Sequence, residues 1–159
     1  MSYDKTRFIQ LLQLVDKEVL HLQQVEQRFF EQSDTINLQW LTAKLNTSVG
    51  IDQLESFTAK FARLQDTLGD KILPLFLKLS AEPVGTAIEN INRAEKLGLM
   101  TNTAQWLNAR QLRNLLIHEY INDLNILVEA LQQAKQMTIM LIACANKIKA
   151  YAIKLGFNN

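Results

Sequence analysis

Apolar side chains recur at helical spacing along almost the whole chain. The first series begins at Phe8 and ends at Phe29, and Glu26 interrupts it. Steps of three and four residues place side chains on one face of an α-helix. The series therefore predicts a long first helix with one buried stripe, formed by Phe8, Leu11, Val15, Val19, Leu22 and Phe29.

Two breaks follow, at residues 33–35 and 46–50, where capping and turn-forming residues cluster. They frame a short second helix that contains Trp40. A third apolar series then extends from Leu54 to Leu79, again in steps of three, four or seven. Pro74 lies inside this series, and we expect it to kink the helix because proline lacks an N–H and clashes with the preceding turn.

The C-terminal half continues the pattern. A loop at residues 81–85 precedes a short helix over residues 86–96, which should end at Gly98, a residue that tolerates a left-handed cap. Asn102 or Thr103 can cap the next helix, which is predicted to reach about Tyr120.

Asp123 can cap the last and longest helix. Its apolar steps alternate between three and four over more than four heptads, as in a helix of a bundle. The members are Leu124, Leu127, Leu131, Ala134, Thr138, Leu141, Ala145, Ile148, Ala152 and Leu155.

Together these elements predict an all-α fold, an up-and-down bundle of four to five helices that forms a single domain over residues 1–159. Residues 137–145 are apolar on nearly all sides. Such a segment is either fully buried or part of an oligomer interface, so a homodimer is one expectation.

The charge balance narrows the function. Seventeen Lys and Arg against sixteen Asp and Glu give a formal net charge of +1. Without a basic excess, any contact with nucleic acid must be local. The single cysteine, Cys144, is expected to be a small buried hydrophobe. The absence of a signal-peptide pattern and of an apolar run near the roughly 20 residues of a bilayer span favours a cytoplasmic protein without membrane contact.

Most familiar site motifs are missing. The sequence has no CxxC, HExxH, GxGxxG or Walker A motif, and its two histidines are far apart. We therefore expect no metal and no cofactor. His21, within the first helix, is interpreted as a structural or exposed residue.

Polar residues concentrate instead near the end of the predicted 103–120 helix. Arg110, Asn114 and His118 are four residues apart and line one strip of it, where the negative end of the helix dipole favours a cation. The opposite, buried side is predicted to contain Ala109, Leu112, Leu115 and Leu116.

Arg113 lies off that strip. Five residues separate it from His118, which is about 140° of rotation on an ideal helix. The two side chains converge if the helix ends near His118, if the arginine swings across, or if two such helices face each other in a dimer. Alternatively, these polar residues only cap neighbouring carbonyls or pair with Asp66.

The spacing of Arg113, Asn114, His118 and Tyr120 resembles the Arg-Asn-three-residues-His-x-Tyr signature of the HEPN family. The chain is similar to HepT-like toxins, which are paired with minimal nucleotidyltransferase antitoxins, and to nucleotidyltransferase substrate-binding subunits. Residues 57–66 and 106–113 resemble the same group, so the likeness covers roughly residues 50–155.

This resemblance implies a HEPN-like bundle that acts as a dimeric, metal-independent endoribonuclease on RNA. His118 would be the general acid or base, and Arg113 would stabilise charge on the scissile phosphate. Asn114 and Arg110 would position the substrate. Nucleotidylation of Tyr120 by the partner transferase would neutralise the toxin.

Two other functions remain open from the residues. In the first, the bundle is a non-catalytic binding subunit of a nucleotidyltransferase. In the second, it is a purely structural dimer. The chain has no Gly-Ser pair followed by spaced aspartates, so it carries no transferase motif of its own.

Overall fold

A computed structural model describes residues 3–31, 33, 35–100, 102–118 and 123–157. Within these residues all regular secondary structure is helical. The elements are α1 (Tyr3–Phe30), α2 (Leu38–Leu45), α3 (Ser48–Asp66), a π-helical segment (Thr67–Ile72), α4 (Leu73–Leu79), α5 (Ala87–Lys96), α6 (Thr103–His118) and α7 (Leu124–Lys154).

These bounds confirm the all-α prediction. α3, the π-helical segment and α4 are contiguous, so the described elements form four long helical segments and the two short helices α2 and α5. The start of α6 is set by Asn102, whose Oδ1 accepts a hydrogen bond from the N–H of Ala104 at 2.8 Å. Asp123 caps α7 in the same way, through the N–H of Asn125 at 3.0 Å. Gly98 adopts the predicted left-handed conformation, with φ of 78°.

Pro74 does not end the third helix. α3, the π-helical segment and α4 follow one another without a gap, and Pro74 lies in the first turn of α4. The N–H of Leu73 donates to the carbonyl of Leu68, five residues earlier. This wider turn lets the chain pass the proline, which cannot supply an ordinary helical hydrogen bond.

The core lies between the long helices and is rich in aromatic rings. α1 packs along α3, and α6 packs along α7. Phe30 stacks on Trp40 with ring centroids 5.7 Å apart, and its ring meets Phe57 edge-on at 5.2 Å. These contacts fix the short helix α2 against the two long helices that carry Phe30 and Phe57.

The π-helical segment packs against α6 through a close approach at Gly69. A Cβ at this position would lie 2.9 Å from Cζ2 of Trp106, which is tighter than side-chain packing allows. Trp106 itself is 1% exposed. The absent side chain at Gly69 therefore makes room for the largest residue that α6 buries.

One prediction about the buried face of α6 is wrong. Leu115 is 37% exposed, although it was predicted on the buried side of α6, while Ala109, Leu112 and Leu116 are buried as expected. Leu115 projects at an angle from the buried stripe because it lies one residue before Leu116 on the helix. The apolar segment 137–145 is not fully buried within one chain, because Ile139 is 69% exposed, so an oligomer interface there stays a prediction.

Cys144 is buried, as predicted, and burial raises the pKa of its thiol to about 12. The thiolate form is thus strongly disfavoured, and Cys144 is unsuited to nucleophilic chemistry. A search of the described helices finds none that is long and apolar enough to cross a bilayer.

Candidate functional site

Arg113 is bound to α3 and not left free at the end of α6. Its Nη1 donates to Oδ1 of Asp66 in an ion pair. The Arg113 side chain is 26% exposed and that of Asp66 is 40% exposed. The sequence alone had left this pairing open, alongside the possibility that Arg113 approaches His118.

A second ion pair lies nearby on the same two segments. Nη2 of Arg110 donates to Oδ1 of Asp70, which belongs to the π-helical segment. As the residue number rises along α6 from Arg110 to Arg113, the partner number falls from Asp70 to Asp66. α3 and α6 are therefore antiparallel here, as an up-and-down bundle requires.

A buried hydrogen bond holds the two helices together beneath these pairs. Nε2 of Gln65 donates to the carbonyl oxygen of Ala109 at 2.8 Å. Gln65 is 1% exposed and Ala109 is fully buried. A buried amide without a partner costs stability, so this bond favours one relative position of α3 and α6.

His118 and Asn114 lie on the exposed side of α6, as their spacing predicts. His118 is the last residue of α6. Because α6 stays helical through His118, Arg113 and His118 are about 140° apart around its axis. The structure thus joins Arg113 to Asp66 and Arg110 to Asp70.

Tyr120, the predicted modification residue, lies outside the described residues, and so does Glu119.

An apolar groove of about 280 Å³ opens beside the end of α6. Leu116 and Ile117 line one wall, and α3 supplies the other through Leu54, Thr58 and Ala59, with Glu55 also lining the groove. Ile117 is 43% exposed. Ile117, which lines the groove, directly precedes His118 in the sequence.

A buried carboxyl group of α1 accepts a hydrogen bond from the first residue of the π-helical segment. Glu18 of α1 is 6% exposed, and its Oε2 accepts a hydrogen bond from the hydroxyl of Thr67 at 3.1 Å. Burial raises the pKa of Glu18, and this outweighs the hydrogen bond from Thr67 and the charges of Arg63 and Lys71, which lower it. The nearby charge of Asp66 raises it further.

The raised pKa of Glu18 makes stability depend on pH. The folded state holds this proton more tightly than the unfolded chain, so the stability that Glu18 contributes is fully present below about pH 4.5 and is lost as the pH rises through the raised pKa. We expect Glu18→Gln to flatten this dependence and to raise the free energy of unfolding at pH 7 by about 1 kcal/mol. Urea unfolding at several pH values measures it.

Glu129→Gln is the matched control, because Glu129 is exposed and its replacement removes one carboxylate without changing the buried contact between Glu18 and Thr67. It should unfold like the wild type at each pH. Burial also raises the pKa of Glu26 on the same helix, so some pH dependence of the same sign should persist in Glu18→Gln. A Glu18→Gln variant that is no more stable than the wild type at pH 7 would contradict the assignment.

Among the described residues, His, Cys, Asp and Glu side chains form no group of three that could hold a metal ion. Comparisons of the chain with known protein families, with curated proteins and with solved structures return no significant match.

The sequence reasoning missed Asp70 and Glu18. Asp70 shares a face with Asp66 through its four-residue spacing, a signal that the sequence does carry. Glu18 follows Val15 by three residues and precedes Leu22 by four, so helical spacing does place it on the buried stripe of α1. Its charged side chain kept it out of the predicted stripe, and its hydrogen-bond partner Thr67 is 49 residues away in the sequence.

Proposed function

We propose that this protein is the toxin of a HEPN-type pair with a minimal nucleotidyltransferase antitoxin, and that it cuts RNA. The observation that carries the proposal is the Arg113, Asn114 and His118 set at the exposed end of one helix. The groove beside that end adds an apolar surface next to His118. The near-neutral net charge agrees with a local contact in place of a broad basic face.

In the proposed reaction, the ribose 2′-oxygen attacks the adjacent phosphorus and the 5′-oxygen of the next nucleotide leaves. The products are a 2′,3′-cyclic phosphate and a free 5′-hydroxyl. His118 either accepts the proton of the 2′-hydroxyl or donates a proton to the leaving 5′-oxygen, and water takes part in the other of these two transfers, since imidazole can accept and donate protons near neutral pH. Arg113 stabilises the negative charge that builds on the phosphate oxygens, and Asn114 and Arg110 position the strand.

A second copy of the chain completes this site. Arg113 and His118 face different directions on α6, so one copy would supply the guanidinium and the other the imidazole. Exposed apolar residues near the site, Leu115 and Ile117, provide a surface that a second copy can cover. We therefore propose a homodimer in which two α6 ends meet across a shared cleft.

The antitoxin would act at Tyr120, two residues beyond His118. A nucleotide attached there would add bulk and negative charge beside the proposed phosphate site, which blocks RNA. Intact-mass measurement after co-expression with the transferase should show the added nucleotide on a peptide that contains Tyr120.

The direct test is cleavage by the purified protein. End-labelled RNA and DNA of the same sequence are incubated with it in the presence of EDTA. We expect RNA to be cut to products with cyclic phosphate ends and DNA to remain intact, because only RNA carries the attacking 2′-hydroxyl. Intact RNA, or equal cutting of both strands, would overturn the nuclease proposal.

A non-catalytic binding subunit of a nucleotidyltransferase is the second candidate. The pairing of Arg113 with Asp66 favours it, since a guanidinium already held by a carboxylate can serve structure alone. In this case the protein would co-purify with the transferase and leave RNA intact at every concentration. A purely structural dimer would also leave RNA intact, but it would not co-purify with the transferase.

A further inference from the structure

We propose that Asp66 is a positioning residue for Arg113, and that its carboxylate competes with a nucleic-acid phosphate for the same guanidinium. The inference rests on the proposed function for its cleavage readout, but its binding readout is independent. It assigns a role to a residue of α3 that lies 47 positions away from Arg113 in the sequence.

The first argument is the limited choice of partners for Arg113. Its Nε is buried and has no hydrogen-bond acceptor among the described residues. The contact through Nη1 to Asp66 is therefore what orients the planar guanidinium. Arginine has several rotatable bonds, and a fixed carboxylate removes much of that freedom before any substrate arrives.

The second argument is that the pair is open to solvent. The Asp66 side chain is 40% exposed and the Arg113 side chain is 26% exposed, so an anion can approach the guanidinium without unfolding the helix contact. Of the five N–H donors of a guanidinium, the one on Nε of Arg113 is buried, and the four on Nη1 and Nη2 are more than one carboxylate oxygen can use. A phosphate can thus bind the remaining donors or take the place of Asp66.

The third argument comes from the backbone that carries Asp66. It is the last residue of α3, directly before the π-helical segment, and the buried Gln65–Ala109 hydrogen bond fixes its neighbour against α6. π-Helical turns in proteins occur often at functional sites. The carboxylate is therefore carried by backbone that the Gln65–Ala109 hydrogen bond ties to α6, as a positioning group requires.

Two effects of opposite sign follow. Without its charge, residue 66 no longer competes with phosphate, so RNA should bind more tightly. Without its fixed partner, Arg113 is less well aligned with the phosphate in the transition state, so cleavage should slow. A residue with a merely structural role would weaken binding and cleavage together.

The test compares Asp66→Asn with the wild type in two assays. Binding is measured by fluorescence anisotropy on a 2′-O-methyl RNA oligonucleotide, which keeps the phosphodiesters but cannot be cut. We expect Asp66→Asn to bind about threefold to tenfold more tightly, with a steeper dependence on salt. On cleavable RNA, its kcat should fall about tenfold or more while KM stays the same or falls.

Asp16→Asn is the matched control. Asp16 forms an exposed ion pair with Lys149 between α1 and α7, so this variant makes the same change in net charge away from Arg113. It should change neither assay by more than about twofold. In an Arg113→Ala background, Asp66→Asn should bring no gain in binding, because the group that it unmasks is absent.

The inference is overturned if Asp66→Asn binds the oligonucleotide no more tightly than Asp16→Asn does. It is also overturned if Asp66→Asn still raises the affinity for the oligonucleotide in the Arg113→Ala background. Normal kcat in Asp66→Asn removes the positioning role. If the wild type leaves RNA intact, the proposed function fails, and the binding comparison alone decides whether Asp66 competes for Arg113. Circular dichroism of each variant checks that the fold is retained.

Discussion

Replacing His118 with alanine is expected to lower RNA cleavage by at least about a hundredfold, the usual range for loss of a general acid or base. His118 is exposed at the end of α6, so the substitution removes no core packing. The free energy of unfolding should therefore stay within about 0.5 kcal/mol of the wild-type value. In cells, expression without the antitoxin should arrest growth, and His118→Ala should relieve the arrest.

His21 provides a matched control for this experiment. It is the other histidine of the chain, and it is also exposed on a helix, but it lies in α1. His21→Ala should remain toxic and should cleave RNA at the wild-type rate. Equal growth of cells that express the wild type, His21→Ala and His118→Ala would remove the toxin proposal.

The second large effect is expected for Trp106→Ala, which should lower the free energy of unfolding by about 3 to 5 kcal/mol. Trp106 is 1% exposed and fills the space that Gly69 leaves open between the π-helical segment and α6. Loss of its ring leaves a cavity at the contact that holds α6 in place. Because domains are typically stable by only about 5 to 15 kcal/mol, this loss is a large fraction of the total stability.

Trp106→Phe separates the packing of this residue from its polar group. The indole Nε1 is buried without a hydrogen-bond acceptor in the described part of the chain. Phenylalanine removes this N–H, and it removes less side-chain volume than alanine does. We expect a loss of about 1 to 2 kcal/mol, well below that of Trp106→Ala. Urea unfolding followed by far-UV circular dichroism measures both variants, and equal losses would contradict this account of the contact.

Local patterns predict the helices of this protein well. Apolar spacing depends only on neighbouring residues, so it places helix stripes even when their partners are unknown. The caps at Asn102 and Asp123 and the left-handed Gly98 follow from the same local chemistry. The π-helical segment was not predicted, because it reflects how the chain passes Pro74 while the segment also packs against Trp106.

The candidate site was predicted less completely, for a physical reason. The spacing along α6 indicates that Asn114 and His118 share a strip, and the structure shows both exposed. The orientation of Arg113 depends on Asp66, 47 residues earlier, and such a pair cannot be chosen from one helix alone. Catalysis and the modification of Tyr120 remain predictions that the experiments above address, and the homodimer remains a prediction as well.

The two arginine–aspartate pairs also restrict how α6 can slide along α3. In the antiparallel arrangement, a shift of one helical turn in one direction would leave Arg113 opposite Ala62, and a shift in the other would leave Arg110 opposite the apolar residues at the start of α4. Either slip keeps at most one ion pair and moves Trp106 away from the gap at Gly69. The positions of Asp66, Gly69 and Asp70 thus favour a single alignment of α3 and the π-helical segment with α6. Apolar packing alone would not supply this structural specificity.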